Sequence, residues 1–278
     1  MGKRFKFNVV QKICTFVPVF LAFYRNAASL YYLNDYLLLS CIMSFSIFEA
    51  PFIKTIHKGI RPMIIYELFL KTDYSWNEQE DSLLQFVSDE RKHVISSYRF
   101  IPDRLRSLYG ALLVKMGIYC YCGIPPQMQR FSHEFMRKPQ LLNKEAAAAF
   151  NLSHSGRCVV CGVSGCHLGI DTEEIILPYP KEILSCFSPA ERAECECGND
   201  EEQADAFYKL WTRKEAYGKW NGFGLCQNLA AVDIHKKGYR TWKENAHIIS
   251  IYSESNEETE IRRLSTEEVT DFYRNITL

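Results

Sequence analysis

No charge of one sign dominates this 278-residue chain, in which 33 Lys and Arg balance 33 Asp and Glu. The balance speaks against nucleic acid as a partner, because affinity for a phosphate backbone comes from clustered basic residues that release counterions. The chain also lacks an apolar run of the ~20 residues that a membrane-spanning helix needs. Its most apolar stretches, near the N-terminus, are broken at Arg25-Asn26 and at Asn34-Asp35. Ten prolines and 14 glycines are too few for a collagen-like or low-complexity chain, and 47% hydrophobic residues are enough for a folded core. The 11 cysteines are odd in number and irregularly spaced. This excludes a disulfide-stapled secreted domain and predicts reduced thiols in the cytoplasm.

Neutrality conceals an asymmetry. Residues 1–62 hold eight Lys and Arg against only Asp35 and Glu49, which leaves 25 basic and 31 acidic residues in the remainder. The basic opening and the apolar ICTFVPVFLAFY after it imitate a signal peptide. Three readings of 1–62 compete: a poor signal or membrane anchor, an extra subdomain, or translated sequence upstream of a true start at Met63. The last is favoured, because composition changes abruptly at Met63 and MIIYELFLK is a good opening strand.

From Met63 a strand is expected over 64–70, followed by helices beginning near Trp76 and running through Arg104–Leu113. Strands are expected at 149–152, 158–163 and 168–172. Ser188-Pro189-Ala190-Glu191 has the pattern of a capping box with proline at the first helical position. A second helix should run from about Asn199 to Trp220, and strands at 230–234, 246–252 and 260–264 close the chain. Helices followed by strands thus occur twice, which suggests a duplicated α+β unit.

Three segments carry chemistry. In Gly169-Ile170-Asp171-Thr172-Glu173 the strand period puts Asp171 and Glu173 on one face, with Gly169 beside them leaving room for a ligand. Paired carboxylates suit Mg²⁺, although a strand end wetted by solvent explains the same pattern. In the helix at 207–219, steps of four align Phe207, Trp211, Glu215 and Lys219. The apolar seam turns charged, so Glu215 is a candidate third ligand and Lys219 a candidate phosphate partner; a surface Glu–Lys pair is the plain alternative. Arg213 and Lys214 fall off this stripe and are expected at the solvated surface. The strand Phe150-Asn151-Leu152 ends in Ser153-His154-Ser155-Gly156, a turn rich in donors for an anion. No G-x-S-x-G elbow accompanies the Ser-His pair, which disfavours a hydrolase.

The ordered set FNLSHSG, GIDTE and WTRKEAYGKWNGFGL resembles the 4′-phosphopantetheinyl transferase superfamily, with the spacing of its Sfp-type, pseudo-dimeric members. The resemblance covers 63–278. It implies an α+β fold of two similar α/β subdomains, 63–165 and 166–278, in a pseudo-twofold arrangement with the active site in the cleft between them. It further implies Mg²⁺-dependent transfer of 4′-phosphopantetheine from coenzyme A to a serine of an apo acyl or peptidyl carrier protein, releasing 3′,5′-ADP, by a cytoplasmic monomer. Matched by motif, Asp171, Glu173 and Glu215 are metal carboxylates and Lys219 lies near the pyrophosphate. Ser153 and His154 meet the nucleotide, with the imidazole near the 3′-phosphate. Lys138 and Pro139 match a Gly-Lys-Pro turn by the adenine, where Arg137 replaces the glycine. Arg91, Arg106 and Ser107 align with a basic segment of the phosphate shell. Glu215 is the candidate base for the serine proton and Lys219 assists.

Two other functions compete. Cys158 and Cys161, with Cys166-His167 nearby, have zinc-like spacing, but an offset of three on a strand puts the first two on opposite faces. A non-catalytic CoA-binding protein would have no need of three convergent carboxylates.

Overall fold

The computed structural model describes residues 61–132, 138–143, 146–222 and 229–276. The extension expected over 1–62 therefore lies outside the described residues except for Arg61 and Pro62. All described residues belong to one compact unit.

The first strand, β1 (Met63–Phe69), is followed by helices α1 (Glu78–Leu83), α2 (Asp89–Ser97) and α3 (Ile101–Cys122). Strands β2 (Ala149–Ser155), β3 (Cys158–Ser164) and β4 (Gly169–Glu174) come next, then helices α4 (Pro189–Cys195) and α5 (Asp200–Asn221). Strands β5 (Tyr239–Glu244), β6 (His247–Tyr252) and β7 (Thr259–Leu264) precede the last helix, α6 (Thr266–Ile276). Helix starts follow from local chemistry. Asn77, Ser188 and Asn199 each cap a backbone N–H while Glu80, Glu191 and Glu202 reach back to the cap residue's own N–H. The two 22-residue helices, α3 and α5, both stop at a left-handed glycine, Gly123 (φ 78°) and Gly222 (φ 82°).

The strands form two sheets, β2-β3-β1-β7 and β4-β6-β5. Strand β1 pairs antiparallel with β3 and parallel with β7, so the first sheet takes its last strand from the far C-terminal part of the chain. Met63 and Ile65 from β1, Cys158 and Val160 from β3, Ile170 from β4, and Ile249 and Ile251 from β6 join in one core shared by both sheets. Trp242 Nε1 of β5 donates to Glu67 Oε1 of β1 at 2.7 Å, and burial pushes the Glu67 pKa up. On the other face of the second sheet, Ile248 meets Phe207, Leu210 and Phe187 in the core under α5. Strand β6 is buried on both faces, which is why HIISIY reads as an apolar run with no alternation. Burying each of its isoleucines contributes about 1.5–3 kcal/mol.

The segment expected as a strand at 230–234 is instead a 3-10 turn, Leu229–Ala231, followed by an irregular stretch. Val232 and Ile234 insert into the core under α5, so the alternation reflects packing rather than sheet pairing. At the N-terminal edge, Arg61 donates to the Tyr121 carbonyl in the last turn of α3, and its guanidinium lies over the Tyr121 ring. Arg61 is therefore part of the fold.

Candidate active site

Strands β2 and β4 each stand at the edge of their sheet and meet through side chains. On alternate positions of β2, Asn151 Oδ1 accepts from Ile170 N (2.8 Å), Ser153 Oγ from Thr172 N (3.4 Å) and Ser155 Oγ from Glu174 N (3.1 Å). Each serine hydroxyl also donates to a carboxylate, Ser153 Oγ to Asp171 Oδ1 at 2.8 Å and Ser155 Oγ to Glu173 Oε2 at 2.7 Å. The seam between the sheets therefore orients both acids. Sequence alone assigns Asn151 no role and reads Ser155 only as a donor in an anion-binding turn at 153–156, whereas β2 runs as a strand through Ser155 and turns both residues onto the β4 edge. The signal for them is the N-x-S-x-S alternation along β2, which runs alongside the D-x-E of β4.

Helix α5 crosses β4 closely. A Cβ on Gly169 would collide with the Ala216 carbonyl oxygen and lie 2.5 Å from Trp220 N. The room expected there for a ligand is filled by helix backbone, and the glycine serves to seat α5 on β4. That seating brings Lys219 to Asp171, with Nζ 2.6 Å from Oδ1 and 2.8 Å from Ser153 Oγ. Asp171 is only 3% exposed, and its Oδ2 has no hydrogen-bond partner.

Half-buried Glu215 lies one turn before Lys219. Its pKa is pushed up to about 7, first by burial and then by the Asp171 and Glu173 charges, with Lys219 opposing. Burial and then Asp171 likewise raise that of Glu173, against the Ser155 hydrogen bond and Lys219. The Asp171 charge thus acts on both Glu173 and Glu215, and that of Glu173 on Glu215, which puts the three carboxylates within electrostatic reach of one another. Among the described residues no three such ligands form a ready-made cage; the Lys219 ammonium lies against Asp171 instead. The donor set still fits Mg²⁺, because it consists of hard carboxylate oxygens, one of them buried and unpartnered, and that ion needs few protein ligands.

Around this centre, Lys138 Nζ donates to the Leu168 carbonyl at 2.7 Å. Burial and then the neighbouring Lys219 charge push its pKa down to about 8. Pro139 follows at the surface, and Arg137 lies outside the described residues. His154 is exposed and alternates with the buried Ser153 along β2. The protein around its ring, and then the Arg106 guanidinium, lower the imidazole pKa. Arg106 on α3 is fixed by bonds to the Gly156 carbonyl and to Asp103, each 2.6 Å. Ser107 is buried with an unpartnered hydroxyl. Arg91 is exposed on α2, and no side-chain bond among the described residues ties it to the others.

Lys214, expected at the surface, is completely buried. Its Nζ pairs with Glu191 Oε1 at 2.8 Å and donates to the Leu229 carbonyl at 2.6 Å. Arg213 is half-buried, with Nε on Thr241 Oγ1 at 3.0 Å. The i, i+4 stripe identified the face of α5 that meets β4 but missed the second buried face, which meets α4. Cys158 and Cys161 are both buried, and burial pushes the Cys158 thiol up to about 12 and Cys161 higher still. Neither has the character of a zinc ligand or redox thiol.

Comparison with known proteins agrees with these motifs. Residues 167–271 match the family model of the 4′-phosphopantetheinyl transferase superfamily, and 74–165 match that of the 4′-phosphopantetheinyl transferase N-terminal region. The chain is 32% identical over 179 residues to 4′-phosphopantetheinyl transferase Sfp of Bacillus subtilis (strain 168), covering 63% of this chain and 79% of that one. It is 30% identical over 188 residues to 4′-phosphopantetheinyl transferase gsp of Aneurinibacillus migulanus, covering 66% and 77%. With 4′-phosphopantetheinyl transferase HetI of Nostoc sp. it shares 30% over 167 residues, covering 58% and 70%. With both regions matched and the motif residues gathered on β2, β4 and α5, the chain belongs to the 4′-phosphopantetheinyl transferase family, among its Sfp-like members.

Proposed function

We propose that this chain transfers the 4′-phosphopantetheine arm of coenzyme A to a serine of an apo carrier protein, releasing 3′,5′-ADP. The observation that carries the reading is Asp171, buried on β4 with Oδ1 held by Lys219 and Ser153 and Oδ2 without a partner, and with Glu173 and Glu215 near enough for its charge to raise their pKa values. Those three carboxylates would hold Mg²⁺, which when bound neutralises charge on the pyrophosphate. Lys219 then reaches a pyrophosphate oxygen. Lys138 borders the nucleotide, and His154 with Arg106 receives the 3′-phosphate. The serine oxygen forms a bond to the phosphorus nearest the pantetheine, the bond from that phosphorus to the bridging oxygen breaks, and 3′,5′-ADP leaves with the bridging oxygen. Glu215 takes the serine proton as general base.

In this reading the two sheets, each with its 22-residue helix, are the two pseudo-twofold halves, 63–165 and 166–278, with the last strand and helix returned to the first. The cleft follows the β2–β4 seam. The enzyme acts as a cytoplasmic monomer with no need of residues 1–60; among the described residues no helix is long and apolar enough to cross a membrane. The test is mass spectrometry of apo fatty-acid, polyketide and peptide-synthetase carriers incubated with the full chain, coenzyme A and Mg²⁺. A phosphopantetheine mass gain that disappears when the carrier serine is alanine supports the assignment, and no gain on any carrier refutes it.

A further inference from the structure

Lys219 makes the only ion pair to Asp171 among the described residues. Its Nζ sits on the same Oδ1 that Ser153 donates to, so the ammonium, the hydroxyl and the carboxylate close a triangle with sides of 2.6, 2.8 and 2.8 Å. The carboxylate in that triangle is almost fully buried, with Oδ2 unpartnered, whereas the Lys219 side chain keeps 28% of its surface exposed. A buried carboxylate with no counter-charge is strongly disfavoured, so some cation must accompany Asp171 in every state of the site. Lysine suits an exchangeable role, being a compact charge on a flexible four-carbon stem.

We infer that Lys219 is a placeholder cation: it neutralises Asp171 while no divalent metal is bound and yields the carboxylate when one arrives, which frees its ammonium for the pyrophosphate. The inference rests on the reading of Asp171 as a metal ligand. Ser153 is the pivot, since it bonds to both partners and can keep its bond to Asp171 after Lys219 departs. Before coenzyme A binds, Lys219 and the metal compete for one carboxylate; afterwards the phosphates hold both. A side chain that assists turnover therefore weakens metal binding in the absence of substrate.

The experiment is calorimetric titration of Mg²⁺ alone into the full-length protein without coenzyme A, together with the Mg²⁺-induced shift in Tm. Lys219→Met should bind Mg²⁺ about tenfold more tightly than wild type and show the larger shift in Tm, while its transferase turnover falls. If the Met variant does not fold, Lys219→Gln, which retains a hydrogen bond to Ser153, carries the same test. Asp171→Asn should abolish the binding. No saturable binding by wild type, or binding that survives Asp171→Asn, overturns the metal assignment and the placeholder with it. Binding lost in Asp171→Asn yet unchanged or weaker in the Lys219 variant overturns the placeholder alone.

Discussion

Replacing Lys214 by Met removes a charge that lies wholly inside the protein. Its ammonium pairs with Glu191 at 2.8 Å, donates to the Leu229 carbonyl at 2.6 Å and sits 5.6 Å from the centre of the Phe187 ring. Glu191 is itself 5% exposed, and its other oxygen accepts the Ser188 N–H at the start of α4. The substitution leaves a buried carboxylate with one hydrogen bond and no counter-ion, and a carbonyl without its donor. Breaking one side of a buried pair costs about 3–5 kcal/mol, a large share of the ~5–15 kcal/mol that holds a typical domain folded. Urea unfolding followed by the fluorescence of the four tryptophans, Trp76, Trp211, Trp220 and Trp242, reads the loss. The double variant Lys214→Met/Glu191→Gln should lose less than the two single losses combined, with a coupling of about 1–3 kcal/mol. A loss below about 1 kcal/mol at unchanged m-value would place the ammonium in solvent and refute the buried pair.

Asp171→Asn and Glu215→Gln should each reduce transfer to a carrier by at least about 10²-fold while leaving far-UV circular dichroism unchanged, and Glu173→Gln should be milder because water can substitute in a Mg²⁺ shell; near wild-type turnover in either of the first two would end the three-carboxylate reading. Burial raises the Glu215 pKa to about 7 from an ordinary 4.5, so the folded protein holds this proton more tightly than the unfolded chain. Metal-free stability should accordingly fall as pH rises from 4.5 to 7, and a slope unchanged in Glu215→Gln would refute the assignment. The lowered His154 pKa leaves the imidazole able to take up a proton when a phosphate arrives, so the preference for coenzyme A over dephospho-coenzyme A should narrow as pH rises and be smaller in His154→Ala, with Arg106 keeping the remainder; an equal loss of both ligands in that variant would show that His154 does not sense the phosphate. Fragments 61–278 and 63–278 should both be active, the shorter less stable by about 0.5–1.5 kcal/mol for the missing Arg61 hydrogen bond; equal unfolding midpoints would make that contact irrelevant, and an inactive longer fragment would show that residues 1–60 are needed.

Local rules made much of this protein legible from its sequence. A capping box located the start of α4, and strand alternation put Asp171 and Glu173 on one face. Steps of four put Glu215 and Lys219 on another, because side-chain direction in a helix or strand depends only on near neighbours. The helix α6 was available by the same logic, since Ser265 and Glu268 exchange cap bonds in an S-x-x-E pattern. Strand β5 was not: its Tyr-Arg-Thr-Trp-Lys-Glu is half-buried almost throughout and has no clean period. Tertiary structure alone decided that Gly169 meets helix backbone rather than ligand, and that Lys214 is buried against Glu191. It also decided that β7 returns to β1, and that Ser153 and Ser155 orient the two acids across the seam. Each of these joins residues distant in the chain, and what an element packs against is set by which apolar faces can be buried together, a condition no local window of sequence contains.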